Sequence, residues 1–131
     1  MRTGTIIIGG KEYPVQSLTV LQSLKEDMVA ADVNKSDDAD VKAKTRMRRM
    51  AVTLQNAGAF LPDPANPNGE IKSSDLKTDR VIEILNSGIF LDMEEFYEAE
   101  LVILKLMRPR LAAQLAGKET PPGAGESPAT G

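Results

Sequence analysis

The segment Asp92–Met107 constrains the fold more than any other part of this chain. Asp92 is a suitable helix N-cap, and Glu95 three residues later predicts a capping box in which its carboxylate binds the N–H of the cap. Leu91 and Phe96 have the spacing of a hydrophobic staple. Acidic residues fill the first turns and basic residues follow the last turn, in agreement with the helix dipole. We therefore predict a strongly specified helix around which the rest of the chain is organised.

The apolar face of this helix is wider than a surface helix usually needs. Its main stripe and the residues that widen it are Met93, Phe96, Tyr97, Leu101, Leu104 and Met107, together with Val102, Ile103 and Leu106. So wide a face is covered on more than one side, either by the rest of the chain or by a partner.

Composition excludes several classes of function. The chain has 131 residues, enough for one domain, and it contains neither Cys nor His. It therefore lacks a thiol nucleophile, a zinc–thiolate site and the commonest general base, so we predict no catalytic residue, no metal, no cofactor and no enzyme activity. The net charge of −3 argues against nucleic acid. No apolar run reaches the roughly 18–20 residues of a membrane span, and the absence of Cys favours an intracellular setting.

Residues 1–16 have the pattern of a β-hairpin. Thr5–Ile8 is β-branched throughout, Gly9-Gly10 suits a two-residue turn, and Lys11–Val15 returns as the second strand. Because an isolated hairpin is marginal in water, it should pack on a helix or extend a sheet in another subunit. Strand addition of this kind would give a homo-oligomer, and removal of the hairpin would then change oligomer size without melting the helices.

Thr19 and Gln22 predict a second capping box, which opens a helix to about Asp32. Its apolar positions have helical spacing and should be buried; they are Leu21, Leu24, Met28 and Ala31.

A further helix should run from about Ala39 to Ala57 and end at Gly58. Its apolar face comprises Ala43, Met47, Met50, Leu54 and Ala57. Five cations flank that face: Lys42, Lys44, Arg46, Arg48 and Arg49. We favour a solvated face whose basic side chains lay their stems along the apolar stripe, because no aromatic residue interleaves with them. The alternatives are a nucleic-acid helix, or cations that meet a partner's acidic surface or the acidic start of the 92–107 helix.

Residues 60–69 contain three prolines and end in Asn-Gly, which predicts a loop without regular structure. A helix of roughly Asp75–Asn86, capped by Ser73 or Ser74, should follow and lead almost directly into Asp92.

Pro109 should either break the long helix or open a short final helix to Ala116. The Pro- and Gly-rich residues 117–131 predict a disordered tail. The whole pattern predicts a mainly helical α+β protein: an N-terminal β-hairpin over residues 1–16, a body of four to five helices over residues 17–116, and the tail.

The N-terminal third carries a resemblance to a known family. Residues 6–13 have the sequence IIIGGKEY, and residues 18–21 have the sequence LTVL at the start of an amphipathic helix. This pattern resembles the small tail assembly chaperones of long-tailed bacteriophages and prophages. The resemblance covers residues 5–116 in architecture and residues 6–24 in sequence.

The resemblance implies a non-enzymatic role. Such chaperones coat the aggregation-prone tape measure protein before tail assembly and help bring tail tube subunits to it. They act in the host cytoplasm and are absent from the mature virion. Many are also made in a second, longer form by ribosomal frameshifting.

From the residues themselves, we expect the helical body to present an apolar groove that holds amphipathic helices of a client. The candidate partner-binding residues are Met93, Phe96, Tyr97, Leu101, Leu104, Met107, Met47, Met50 and Leu54. Two alternatives remain: a virion structural component, such as a head–tail connector or tail completion protein, and a small DNA-binding regulator.

Overall fold

A computed structural model describes residues 2–118 of the chain. The elements in order are β1 (Thr3–Ile8), β2 (Lys11–Gln16), α1 (Val20–Asn34), α2 (Ala39–Ala57), β3 (Phe60–Asp63), β4 (Asn66–Lys72), α3 (Thr78–Leu85), α4 (Met93–Met107) and α5 (Pro109–Lys118). The predicted class is confirmed: the protein is mainly helical, with an N-terminal β-hairpin and a second small antiparallel sheet. Residues 119–131 of the predicted tail lie outside the described residues.

The β1–β2 hairpin is one wall of the core. Gly9 and Gly10 form its two-residue turn with φ of 62° and 77°, a conformation that side chains rarely adopt. A Cβ at Gly9 would also lie 2.8 Å from the carbonyl oxygen of Ile89. One face of the hairpin is almost fully buried, with β1 against α4 and β2 against α2. The buried side chains of that face are Ile6, Ile8, Tyr13 and Val15.

The core lies between this hairpin, α2, α3 and α4. Five successive residues of α2, Met50–Leu54, are buried because the hairpin, α3 and the 3₁₀ turn Ser73–Asp75 surround the C-terminal half of the helix. On α4 the buried apolar side chains are Phe96, Ala99, Ile103 and Leu106. Only Phe96 of the main stripe is therefore fully inside. The predicted staple is wrong, since Leu91 is 71% exposed and Phe90 packs on Phe96 instead, with ring centroids 5.3 Å apart.

Glu95 joins the hairpin to α4. The predicted N-cap is confirmed, because Asp92 Oδ1 accepts a hydrogen bond from the N–H of Glu95 at 2.9 Å. The reciprocal half of the capping box is not formed. The Glu95 carboxylate accepts from the backbone N–H groups of Gly9 at 2.5 Å, Gly10 at 3.1 Å and Leu91 at 3.0 Å. Burial raises the pKa of Glu95, but these three donors lower it more, so the pKa lies below its ordinary value of 4.5.

We expect this contact to make stability depend on pH. Because the folded pKa of Glu95 is depressed, its contribution is present above about pH 4.5 and is lost as the pH falls through the folded pKa. Glu95→Gln should lower the unfolding midpoint at pH 7, and the difference from wild type should shrink below pH 4.5. Urea unfolding from pH 7 to pH 3 measures this. Glu94→Gln, at an exposed position in the same helical turn, is the control, and an equal effect of both variants would contradict the account.

The prediction of an irregular loop over residues 60–69 is wrong. β3 and β4 pair antiparallel, with Pro62 opposite Glu70, and Asp63 Oδ1 accepts from the N–H of Ala65 at 2.9 Å at the turn. In a two-stranded ladder each strand has a free edge, so a proline can keep its position without removing a ladder bond. Leu61 then points into the core.

The predicted burial of the α1 stripe is also wrong. The capping box of Thr19 and Gln22 is confirmed, but the predicted residues Leu21, Leu24, Met28 and Ala31 are exposed, and the half-buried apolar residues of α1 are Val29, Ala30 and Val33. Glu26 is buried instead, and its Oε1 accepts from Arg48 Nε at 2.7 Å. The side of α1 that faces the body therefore carries an ion pair with α2 beside half-buried apolar residues.

The start of α3 differs from prediction, and the structure shows which of the two predicted alternatives applies at Pro109. α3 begins at Thr78 rather than Asp75, because Ser73 is buried and its hydroxyl donates to the carbonyl oxygen of Leu54 instead of capping. Pro109 opens a final helix, the second predicted alternative, and this helix continues to Lys118.

Candidate functional site: an apolar groove between α2 and α4

A groove of about 690 Å³ lies between α2 and α4, with the C-terminal part of α1 at its edge. Its floor is apolar and is formed mainly by α4. The residues of that floor are Met50 of α2 and Leu101, Ile103, Leu104 and Met107 of α4. Leu101 is 47% exposed and Tyr97 is 51% exposed, so the groove presents apolar side chains to solvent beside the core. We call it the α2–α4 groove.

The width of the α4 stripe explains this surface. Successive residues of a helix are turned by about 100°, so Tyr97 and Leu104 lie on a face adjacent to that of Phe96 and Ile103. The face of Phe96 and Ile103 packs in the core, and the face of Tyr97 and Leu104 is open to solvent. The open face of α4 would be covered only if another chain or segment bound in the groove.

The rim of the groove is largely basic. Arg46 pairs with Glu100, with Nε 2.9 Å from Oε2 and a second contact between Nη2 and Oε1. This hydrogen-bonded pairing raises the pKa of the Arg46 guanidinium above its ordinary value. The guanidinium also lies 5.6 Å from the ring centroid of Tyr97, within reach of a cation–π contact. Arg49 Nη2 contacts Asp27 at 2.9 Å, and Arg108 approaches the same carboxylate at 3.9 Å.

These pairs bear on the predictions made for the basic residues of α2. Arg46 meets Glu100 in the middle of α4, close to the predicted alternative of a contact with the acidic start of that helix, and Arg48 and Arg49 meet carboxylates of α1. Within residues 2–118, Lys42 and Lys44 form no ion pair and are exposed. The arginines are therefore used to hold helices together, and Lys42 remains available at the rim.

A second hollow of about 400 Å³ adjoins the groove, and Arg46 lines both. The candidate partner-binding residues divide between the two surfaces and the core. Those that line the groove are Met50, Tyr97, Leu101, Leu104 and Met107. Those that line the hollow are Met47, Met93 and Phe96.

Leu54 is the exception, because it is fully buried and packs in the core. Met50 and Phe96 also place most of their surface in the core. Sequence reasoning missed Ala30 and Asn34 of α1, which border the groove. No signal identified them, since the apolar period of α1 pointed to its opposite side.

The groove offers apolar area and charged hydrogen-bonding groups, which suit non-covalent binding of another chain. Among residues 2–118, no three carboxylate, imidazole or thiol side chains are placed to share a metal ion. Within the same residues, no helix combines the length and apolar character that crossing a membrane requires. Comparison with protein-family models, with curated proteins and with solved structures found no match to this chain.

Proposed function

We propose that this chain is a non-enzymatic tail assembly chaperone of a long-tailed phage or prophage. It holds helices of the tape measure protein in the α2–α4 groove and helps bring tail tube subunits to them. The observation that carries the proposal is the open apolar face of α4, where Leu101 and Leu104 line a groove beside the core. The phage assignment depends on the resemblance of residues 6–24.

The dimensions of the groove suit a helical client. A volume of about 690 Å³ is in the range of a small-ligand pocket, roughly 300–1,000 Å³, so the groove would take side chains of a client helix rather than the whole helix. An amphipathic helix would insert the side chains of one face, spaced at i, i+3 or i+4, and i+7. Met107 on the floor is unbranched and adaptable, which suits successive client segments that differ in sequence.

The charge of the groove lining indicates which client segments it would bind. The groove lining contains four cations, Lys42, Arg46, Arg49 and Arg108, and one carboxylate, Glu100, although the whole chain carries a net charge of −3. Asp27 offsets part of this excess from outside the lining. The client segment should therefore combine an apolar stripe with acidic flanks.

The pairing of the arginines also bears on the DNA-binding alternative. A helix that reads nucleic acid presents unpaired cations to phosphates. In α2 the guanidinium groups of Arg46, Arg48 and Arg49 each meet a carboxylate of the same chain. This arrangement favours a protein client over nucleic acid. The proposed site of action is the host cytoplasm, and the chaperone leaves before the virion matures.

The test is a capture experiment with the tagged chain in cells that carry the complete phage or prophage. We expect mass spectrometry to identify a very long, coiled-coil-rich protein that is insoluble when made alone. Recovery of portal or tube subunits in a fixed ring would contradict the proposal in favour of a virion component. Recovery of nucleic acid without the long protein would contradict it in favour of a DNA-binding regulator.

A further inference from the structure

The outward face of α1 carries a continuous apolar stripe. Its large side chains are between 57% and 78% exposed. They are Val20, Leu21, Leu24 and Met28, and Ala31 continues the stripe by one turn. This face lies on the opposite side of α1 from Glu26, which is buried against α2.

Polar contacts hold α1 in this orientation. Glu26 pairs with Arg48 at 2.7 Å, and Asp27 pairs with Arg49 at 2.9 Å. The Gln22 amide also exchanges hydrogen bonds with Asn56 at 3.1 and 2.9 Å. Rolling α1 to bury its apolar stripe would break these contacts and separate the half-buried Arg48 from its nearest carboxylate. The apolar stripe is therefore a fixed feature of the surface.

The spacing of the stripe is that of a coiled-coil seam. Leu21, Leu24, Met28 and Ala31 follow one another at intervals of three, four and three residues, the a and d positions of a heptad. Glu26 then occupies the f position, which points away from a coiled-coil partner. We call these four residues the α1 seam.

We propose that the α1 seam pairs with the seam of a second copy of this chain in an antiparallel, two-fold symmetric arrangement. The exposed stripe has roughly 400 Å² of apolar surface, which is within the range of the largest patch on a typical monomer. In the register described below, the contact covers Leu24, Met28 and Ala31 of each copy but not Leu21, so the interface buries less than the roughly 1,000 Å² of a stable specific interface. The dimer is therefore weak and depends on protein concentration.

Charge complementarity favours a second copy of this chain as the partner and an antiparallel arrangement of the two helices. Lys25 and Asp32 occupy the two e positions on one edge of the seam. Antiparallel helices bring e positions together, so Lys25 of each copy lies beside Asp32 of the other, and the symmetry makes this pair twice. A parallel pair would instead place the g-position Asp27 beside Asp32, with like charges in contact.

This register also places apolar groups together. Met28 faces Ala31 of the second copy near the two-fold axis. Leu24 packs on the aliphatic stem of Lys35, whose ammonium group can remain in water. The charge pairs and the Met28–Ala31 contact therefore obey the two-fold symmetry of an isologous interface, while Leu21 lies beyond the end of the partner helix.

The test uses the purified full chain without any client. Sedimentation analysis over a hundredfold range of concentration should show a monomer–dimer equilibrium for the wild type. Met28→Glu should remain monomeric, because it would place the carboxylates of both copies near the two-fold axis, and its circular dichroism should be unchanged, because Met28 is already 70% exposed. Leu91→Glu, at a more exposed leucine outside α1, should dimerise like the wild type. A wild type that is monomeric throughout, or a Met28→Glu variant that dimerises like the wild type, would overturn the proposal.

Charge reversal tests the direction of pairing. Lys25→Asp should weaken the dimer roughly tenfold, because it creates two like-charged pairs. Lys25→Asp combined with Asp32→Lys should restore the wild-type affinity. Failure of the double variant to restore it would overturn the antiparallel register. Because no client is present, these results are independent of the proposed chaperone function.

Discussion

Removal of residues 1–16 should unfold the helices together with the hairpin. Four hairpin side chains, Ile6, Ile8, Tyr13 and Val15, are at most 4% exposed and belong to the same core as α2, α3 and α4. Burying each apolar side chain of this size contributes about 1.5–3 kcal/mol. Their combined loss of about 6–12 kcal/mol is comparable with the whole stability of a typical domain, about 5–15 kcal/mol.

Point variants in β1 test the same claim without truncation. Ile6→Ala should lower the free energy of unfolding by about 2–5 kcal/mol, since Ile6 is 1% exposed. Ile7→Ala, on the opposite face of the strand and 41% exposed, should cost less than about 1 kcal/mol. Circular dichroism and urea unfolding measure both effects. A truncated chain that keeps helical circular dichroism and unfolds cooperatively would contradict the account, and would show that the hairpin is an appendage.

Features that depend on local chemistry could be predicted from the sequence. The N-caps Thr19 and Asp92, the left-handed Gly58 after α2 and the glycine turn of the hairpin all follow from side chains within a few residues. The same holds for Pro109, whose fixed φ and missing N–H suit the first position of α5. Each of these elements is present in the structure.

Features that depend on distant residues could not be predicted. The apolar period of α1 indicates an amphipathic helix, but the side that faces the body is the one with the Glu26–Arg48 pair, whose residues are 22 positions apart. Glu95 fits a local capping box by spacing, yet its carboxylate binds Gly9 and Gly10 at the other end of the chain. The β3–β4 hairpin was missed because its prolines indicated a loop. Proline is disfavoured in a central strand, but it is compatible with a strand that has a free edge.

The groove could be predicted from the sequence only in part. The excess width of the α4 stripe indicated that one apolar face needs a partner, and the structure places Leu101 and Leu104 on such a face. The stripe could not show which residues pack inside, so Leu54, a candidate for partner binding, belongs to the core. The basic rim could be seen as a charge cluster, but its pairing with Glu100 and Asp27 depends on helix packing.

Leu101→Asp should abolish binding of the client while leaving the fold intact. Leu101 is 47% exposed, so the free chain should lose less than about 1 kcal/mol of stability. In the complex the new carboxylate would be desolvated on the apolar floor without a partner, which costs several kcal/mol and corresponds to a loss of affinity of at least about a hundredfold. Leu91→Asp is the matched control, because Leu91 is 71% exposed and does not line the groove.

The most direct measurement is the soluble fraction of the tape measure protein of the same phage or prophage when it is co-expressed with each form of this chain. We expect the wild type and Leu91→Asp to keep the long protein soluble and to co-purify with it. Leu101→Asp should leave it in the insoluble fraction although the variant itself stays folded. A Leu101→Asp variant that solubilises the tape measure protein as well as the wild type does would show that the α2–α4 groove is not the client site. A wild-type chain that fails to solubilise it would contradict the chaperone function itself.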